Sequence, residues 1–157
     1  MEKYLQSCKT EFWKKAFKAE LDYILRELNG TKDALAENVD FTQLSFDAVI
    51  YVASLQFIEK YKEAIKKTAY VLEPGGKLLA MLLNPQSQFF KEKFNNPASY
   101  VSRIKHTDLT EIERTIAEYF SVQTEYFLGI KGQQILESQN PNLASLYVVK
   151  GRKKNSI

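Results

Sequence analysis

The sequence contains one cysteine, Cys8, and one histidine, His106. One cysteine excludes an intrachain disulfide, and one Cys with one His cannot build a structural zinc cluster, so no metal is expected. Long hydrophobic runs are missing too. The longest, residues 48–53 and 78–83, fall far short of the ~20 residues that span a bilayer. The start, Met1-Glu2-Lys3-Tyr4, is charged and has no apolar signal segment. These features predict a cytoplasmic setting and no membrane contact. Charge of one sign is scarce: the net charge is +3, and much of the excess sits in Arg152-Lys153-Lys154, which reads as a solvated, frayed terminus. Lys14, Lys15 and Lys18 alternate with Glu11 and Glu20 as a solvated helix face, so nucleic acid is not an expected partner.

Apolar residues, by contrast, are plentiful. They make up 45% of 157 residues, and aromatics reach 13%, enough for one domain with a sizeable core. The expected layout is a single domain over 1–157, with a helical segment at 1–30 and a sheet core at 34–150. Trp13, Phe17, Leu21, Ile24, Leu25 and Leu28 recur at helical spacing, predicting a helix over 10–28 capped by Thr10 and stopped by Asn29-Gly30. Residues 46–53 form a Val- and Ile-rich run suited to a strand buried on both faces. Helical period returns over 57–72 until Pro74-Gly75-Gly76 turns the chain into a second buried strand, 77–83. Strand, helix and strand make a parallel crossover. Residues 86–105 are polar and aromatic, with Asn95-Asn96-Pro97 as a loop. Residues 107–120 read as a helix with Asp108 and Glu111 in its first turn. Two further strands, 122–128 and 143–149, are joined by a loop or short helix around 133–137.

Ser45-Phe46-Asp47-Ala48-Val49 and Val71-Leu72-Glu73-Pro74-Gly75-Gly76-Lys77-Leu78, at their spacing, resemble the middle of class I S-adenosylmethionine-dependent methyltransferases. Ala36-Glu37-Asn38-Val39-Asp40-Phe41 is similar to that family's A-E-N-x-x-F loop. The resemblance covers roughly 34–150, and the first helix resembles the family's N-terminal lid helix. It implies an α/β fold: a truncated Rossmann-like sheet of parallel strands with a C-terminal antiparallel pair and an N-terminal helix. It implies S-adenosylmethionine as cofactor, with Ala36 and Glu37 against the adenine and Ala53, Ser54 and Leu55 facing the methionine end. A small molecule is the implied methyl acceptor.

The resemblance breaks at one place. The glycines are Gly30, Gly75, Gly76, Gly129, Gly132 and Gly151, and none forms the G-x-G loop with which the family holds its cofactor. The acidic residue that would grip the ribose is also absent. About two βα units would belong between Asp33 and Ala34. A deletion, decay into a non-catalytic homologue, and a segment omitted from the sequence are the competing explanations. Enzyme and pseudoenzyme therefore both stay open. With those units gone, the strand from Phe46 becomes an edge, which predicts a homodimer through that edge or by exchange of the first helix. Among side chains with chemistry of their own, His106 is the candidate general base. Tyr51, Tyr100 and Tyr126 are candidate pocket aromatics, and Lys131 is a candidate anion contact. Cys8 has no histidine nearby in sequence to activate it.

Overall fold

The computed structural model describes residues 11–27 and 46–155. Cys8, Thr10, Leu28 and the loop with Ala36 and Glu37 lie outside them, as do the side chains of Trp13, Phe17, Leu21 and Leu25. The elements are α1 (Glu11–Glu27), β1 (Phe46–Val52), α2 (Tyr61–Val71), β2 (Leu72–Leu83), α3 (Gln88–Phe94), α4 (Leu109–Tyr119), β3 (Phe120–Lys131), β4 (Gln134–Leu136) and β5 (Ala144–Lys153). The strands form one sheet in the order β1-β2-β5-β3-β4. β1 and β2 are parallel, and β5 is antiparallel to both β2 and β3. This is the expected α/β sheet with an antiparallel C-terminal pair.

Alternation along each strand sorts the core into two layers. Leu79, Met81 and Leu83 of β2 face α1 and α3, together with Leu146, Val148, Leu128 and Ile130. Leu78, Ala80 and Leu82 face α2 and α4, together with Phe120 and Val149. β2 is therefore the strand buried on both faces. β1 is not: Ile50 and Val52 are each 40% exposed. β1 lies at an edge of the described sheet, so it has one hydrogen-bonded neighbour there instead of two.

Several sequence expectations change. The helix predicted from residue 57 begins at Tyr61, after a short 3-10 turn at Leu55–Phe57. Pro74-Gly75-Gly76 lies inside β2, where the register shifts: Phe46 pairs with Leu72 but Ala48 with Lys77. The glycines are needed there. Gly75 takes φ +74, and a Cβ on Gly76 would sit 2.9 Å from the Glu73 carbonyl oxygen. Residues 86–105, to which the pattern assigned no element beyond the loop at 95–97, contain helical structure. α3 forms where Ser87 Oγ accepts the Phe90 N–H, burying Phe89 and Phe90, and a 3-10 turn follows at Tyr100–Arg103. The link at 133–137 contains a strand, β4, paired with β3.

The basic tail is the clearest correction. Arg152 and Lys153 belong to β5, and Lys153 is buried with its Nζ donating to the Leu72 carbonyl at 2.7 Å. Lys154 Nζ donates to the Ala117 carbonyl at the end of α4, which suits a cation at a helix C-terminus. Lys153→Met keeps the stem but orphans the Leu72 carbonyl. It is expected to cost about 1–2 kcal/mol in urea unfolding.

Candidate functional site

In sheets of this kind, ligands bind beyond the carboxyl ends of the parallel strands. Here those ends are Val52 of β1 and Leu83 of β2. Ala53 follows β1 with φ 44, a left-handed conformation that costs a non-glycine residue about 1–2 kcal/mol. Its N–H donates to the Met81 carbonyl at 2.9 Å. Ser54 is exposed, and Leu55 is fully buried at the start of the 3-10 turn. The Phe57 and Ile58 amides close that turn onto the Ser54 and Leu55 carbonyls at 3.0 and 3.2 Å.

Two buried amide side chains lock the ends of the strands. Gln56 Nε2 donates to the carbonyls of Leu83 and His106 at 3.1 and 3.2 Å, and its Oε1 accepts the Leu83 N–H at 2.6 Å. Its own carbonyl accepts the N–H groups of Lys105 and His106, each at 3.1 Å. Asn84 Nδ2 donates to the carbonyls of Pro141 and Ala144 at 2.6 and 2.7 Å, while its Oδ1 accepts the Gln86 N–H at 3.0 Å. Neither residue was singled out from the sequence. Gln56 carried a usable signal, as the one strongly polar side chain inside the apolar stretch Leu55 to Ile58.

The other candidates do not converge. His106 places its Nε2 3.1 Å from the Ile58 carbonyl and 3.2 Å from that of Glu59, so that nitrogen carries the proton and donates. Its ring lies 4.5 Å from that of Tyr61. Lys105 adds an ion pair to Glu59 at 2.9 Å, and this cation holds the Glu59 carboxyl below its usual range. Residues 105–106 thus strap the loop after β1. Tyr51 bonds Thr68 Oγ1 at 2.7 Å on the α2 side of the sheet. Tyr100 lies on the other face, its ring 5.9 Å from Phe57. Tyr126 packs 5.0 Å from Tyr147. Burial and a hydrogen bond to Glu113 push the Tyr147 hydroxyl up to about 12. Lys131 is exposed at the end of β3.

α1 docks on the far part of the same face through a polar seam. Buried Tyr23 donates to Glu125 of β3, and Lys150 Nζ reaches Glu125 at 3.0 Å and Glu27 at 3.7 Å. Burial pulls the Glu125 carboxyl up, but Tyr23 and Lys150 outweigh it and bring it below the usual range. Burial pushes the Tyr23 hydroxyl far up, and its bond to Glu125 adds to that. Lys14 and Lys18 are paired with Glu11 and Asp22 in exposed ion pairs, as a solvated face requires. Glu20 departs from that reading, because burial raises its carboxyl to about 7. Among the described residues no group of three His, Cys, Asp or Glu side chains could hold a metal ion, and no helix is long and apolar enough to cross a membrane.

A family model described as a methyltransferase domain matches residues 4–80. None of the curated proteins compared matches the sequence. Among solved structures, a methyltransferase of Thermotoga maritima, described as a possible histamine N-methyltransferase, is 19% identical with a TM-score of 0.59. The match covers 77% of this chain and 62% of that one. A methyltransferase of Archaeoglobus fulgidus is 14% identical at TM-score 0.54, covering 71% and 61%. The YcgJ protein of Bacillus subtilis is 16% identical at TM-score 0.50, covering 87% and 78%. The chain thus spans less than two thirds of the first two structures, and at these identities the likeness is one of fold.

Proposed function

We propose that the chain is a class I S-adenosylmethionine-dependent methyltransferase, in line with the methyltransferase-domain match over residues 4–80, and that it acts on a small-molecule acceptor, or descends from an enzyme that did, with an incomplete cofactor site. The observation that carries this reading is the elbow at Ala53. It turns the chain beyond the carboxyl end of the Phe46-Asp47-Ala48-Val49 strand and leaves Ser54 exposed there. A small side chain and a sharply turned backbone fit the close approach of the methionine end of a cofactor. When bound, S-adenosylmethionine supplies an activated methyl group, and the protein's part is to position it against an acceptor. Ala53, Ser54 and Leu55 are the residues proposed to hold the methionine end, and Ala36 and Glu37 the adenine. No G-x-G loop stands elsewhere in the sequence to complete the grip. The donors present therefore fit half of the cofactor. A general-base role for His106 would require it to release the Ile58 and Glu59 carbonyls. The single cysteine supports a cytoplasmic setting.

Isothermal titration with S-adenosylmethionine tests the reading. Micromolar binding is the expected result. The absence of heat across the titration would instead favour a non-catalytic, homodimeric interaction module. That second reading rests on β1, which lies at the edge of the described sheet with Ile50 and Val52 exposed. For it, sedimentation velocity should give a dimer that Val52→Lys dissociates, and a monodisperse monomer would remove it.

A further inference from the structure

We infer that Gln56 is the positioning residue of the loop that carries Ala53, Ser54 and Leu55. The ligand side of this inference rests on the cofactor reading above. A non-glycine residue at positive φ persists only where its surroundings over-determine it. Ala53 is held on one side by its N–H bond to the Met81 carbonyl. Gln56 is the anchor on the other side. Its carboxamide donates to and accepts from the same residue, Leu83, at 3.1 and 2.6 Å. Those are the two bonds that a continuing β1 would offer, a carbonyl from one peptide group and an N–H from the next. The carboxamide therefore stands in for the strand just where the backbone has turned away to form the elbow. Its second amide hydrogen goes to the His106 carbonyl, and its backbone carbonyl takes the Lys105 and His106 amides. The loop, the end of β2 and the 105–106 strap thus meet on one fully buried side chain.

The chemistry of the position is narrow. It requires a donor and an acceptor on one uncharged group at the reach of two methylenes. Glutamate keeps the reach but, when ionised, cannot donate to the Leu83 and His106 carbonyls. Glycine at position 53 relaxes the elbow, because φ 44 costs it nothing.

The test compares the full-length wild type with Gln56→Glu and Ala53→Gly by thermal melting, amide exchange and calorimetric titration with S-adenosylhomocysteine. Ala53→Gly should melt higher yet bind about fivefold or more weakly, since a relaxed loop no longer holds the binding geometry in advance. A purely structural role would not move stability and affinity in opposite directions. Gln56→Glu should speed exchange about tenfold at Ala53, Phe57 and Ile58 relative to Val148 and Val149, a local opening and not a global one. Should Gln56→Glu fail to fold, Ala53→Gly decides the matter by its affinity. Wild-type binding that Ala53→Gly leaves unchanged or tightens would overturn the inference. A wild type that binds nothing would sink the cofactor reading alone. Gln56 would then stand or fall by exchange, with faster exchange confined to the loop supporting it and uniform or unchanged exchange overturning it.

Discussion

Phe120→Ala is expected to lose about 3–5 kcal/mol of stability, the largest loss for a single truncation among the described residues. Phe120 is 1% exposed and opens β3 where α4 ends. Its ring packs in the layer formed by Leu78, Ile112, Ile116 and Val149. The residue beneath it on β5 is Gly151, where an added Cβ would lie 3.0 Å from Phe120 Cβ and 3.3 Å from Leu78 Cβ. Gly151 is thus the notch that admits the ring. It has no side chain to relax into the hole, and strands on both sides keep β5 from collapsing. Urea unfolding followed by circular dichroism measures the loss. A melting temperature lowered by roughly 10 °C or more accompanies it. A loss near 1 kcal/mol would mean that the layer repacks.

The second large effect is electrostatic. Glu20→Gln is expected to stabilise the fold by about 2 kcal/mol at pH 8 and by almost nothing at pH 4. Burial on α1 raises the Glu20 carboxyl to about 7, against a usual value of 4.5. Below pH 4.5 the carboxyl is protonated in both states, and burial carries no ionic penalty. Between about pH 4.5 and 7 the unfolded chain gives up the proton while the folded chain keeps it, so stability falls as pH rises. Above about 7 the penalty is complete. Glutamine cannot ionise and escapes it. Urea midpoints of both proteins at pH 4, 6 and 8 check the sign, and a constant difference across that range would refute the assignment.

The contrast between Glu20 and its neighbours shows how far periodicity reaches. Lys14, Lys18 and Glu20 all look polar and therefore outward. The two lysines meet that expectation in exposed ion pairs, whereas Glu20 is drawn partly under. Helical spacing gives the face to within about a residue, and the sheet decides how wide the covered stripe becomes. Lys153 carries the same lesson. Beside Arg152 and Lys154 it reads as tail, because charge dominates a short window. In the fold, two-residue alternation continues from Val149 through Gly151 to Lys153, and the lysine's reach brings its ammonium to the Leu72 carbonyl.

The site divides in the same way. Ala53, Ser54 and Leu55, the contacts proposed for the methionine end, were named because they follow a strand whose residues carry a family pattern. Gln56 was not, because its partners, Leu83 and His106, lie 27 and 50 residues away. Bonds across such separations leave no spacing to read. His106 was legible only as chemistry, and its task of bonding the Ile58 and Glu59 carbonyls appears only in the fold.

By itself the sequence determined the types of the longer elements and the parallel unit. Apolar runs, helical period and the Pro-Gly-Gly break are local properties, and strand–helix–strand connectivity has few solutions. An edge position for the Phe46 strand was expected from the missing units, but only the tertiary structure decided the order of the other strands, with β5 inserted between β2 and β3. That choice depends on antiparallel pairing between segments about 70 residues apart, Lys77 with Arg152 through Leu83 with Leu146, whose complementarity no local window contains.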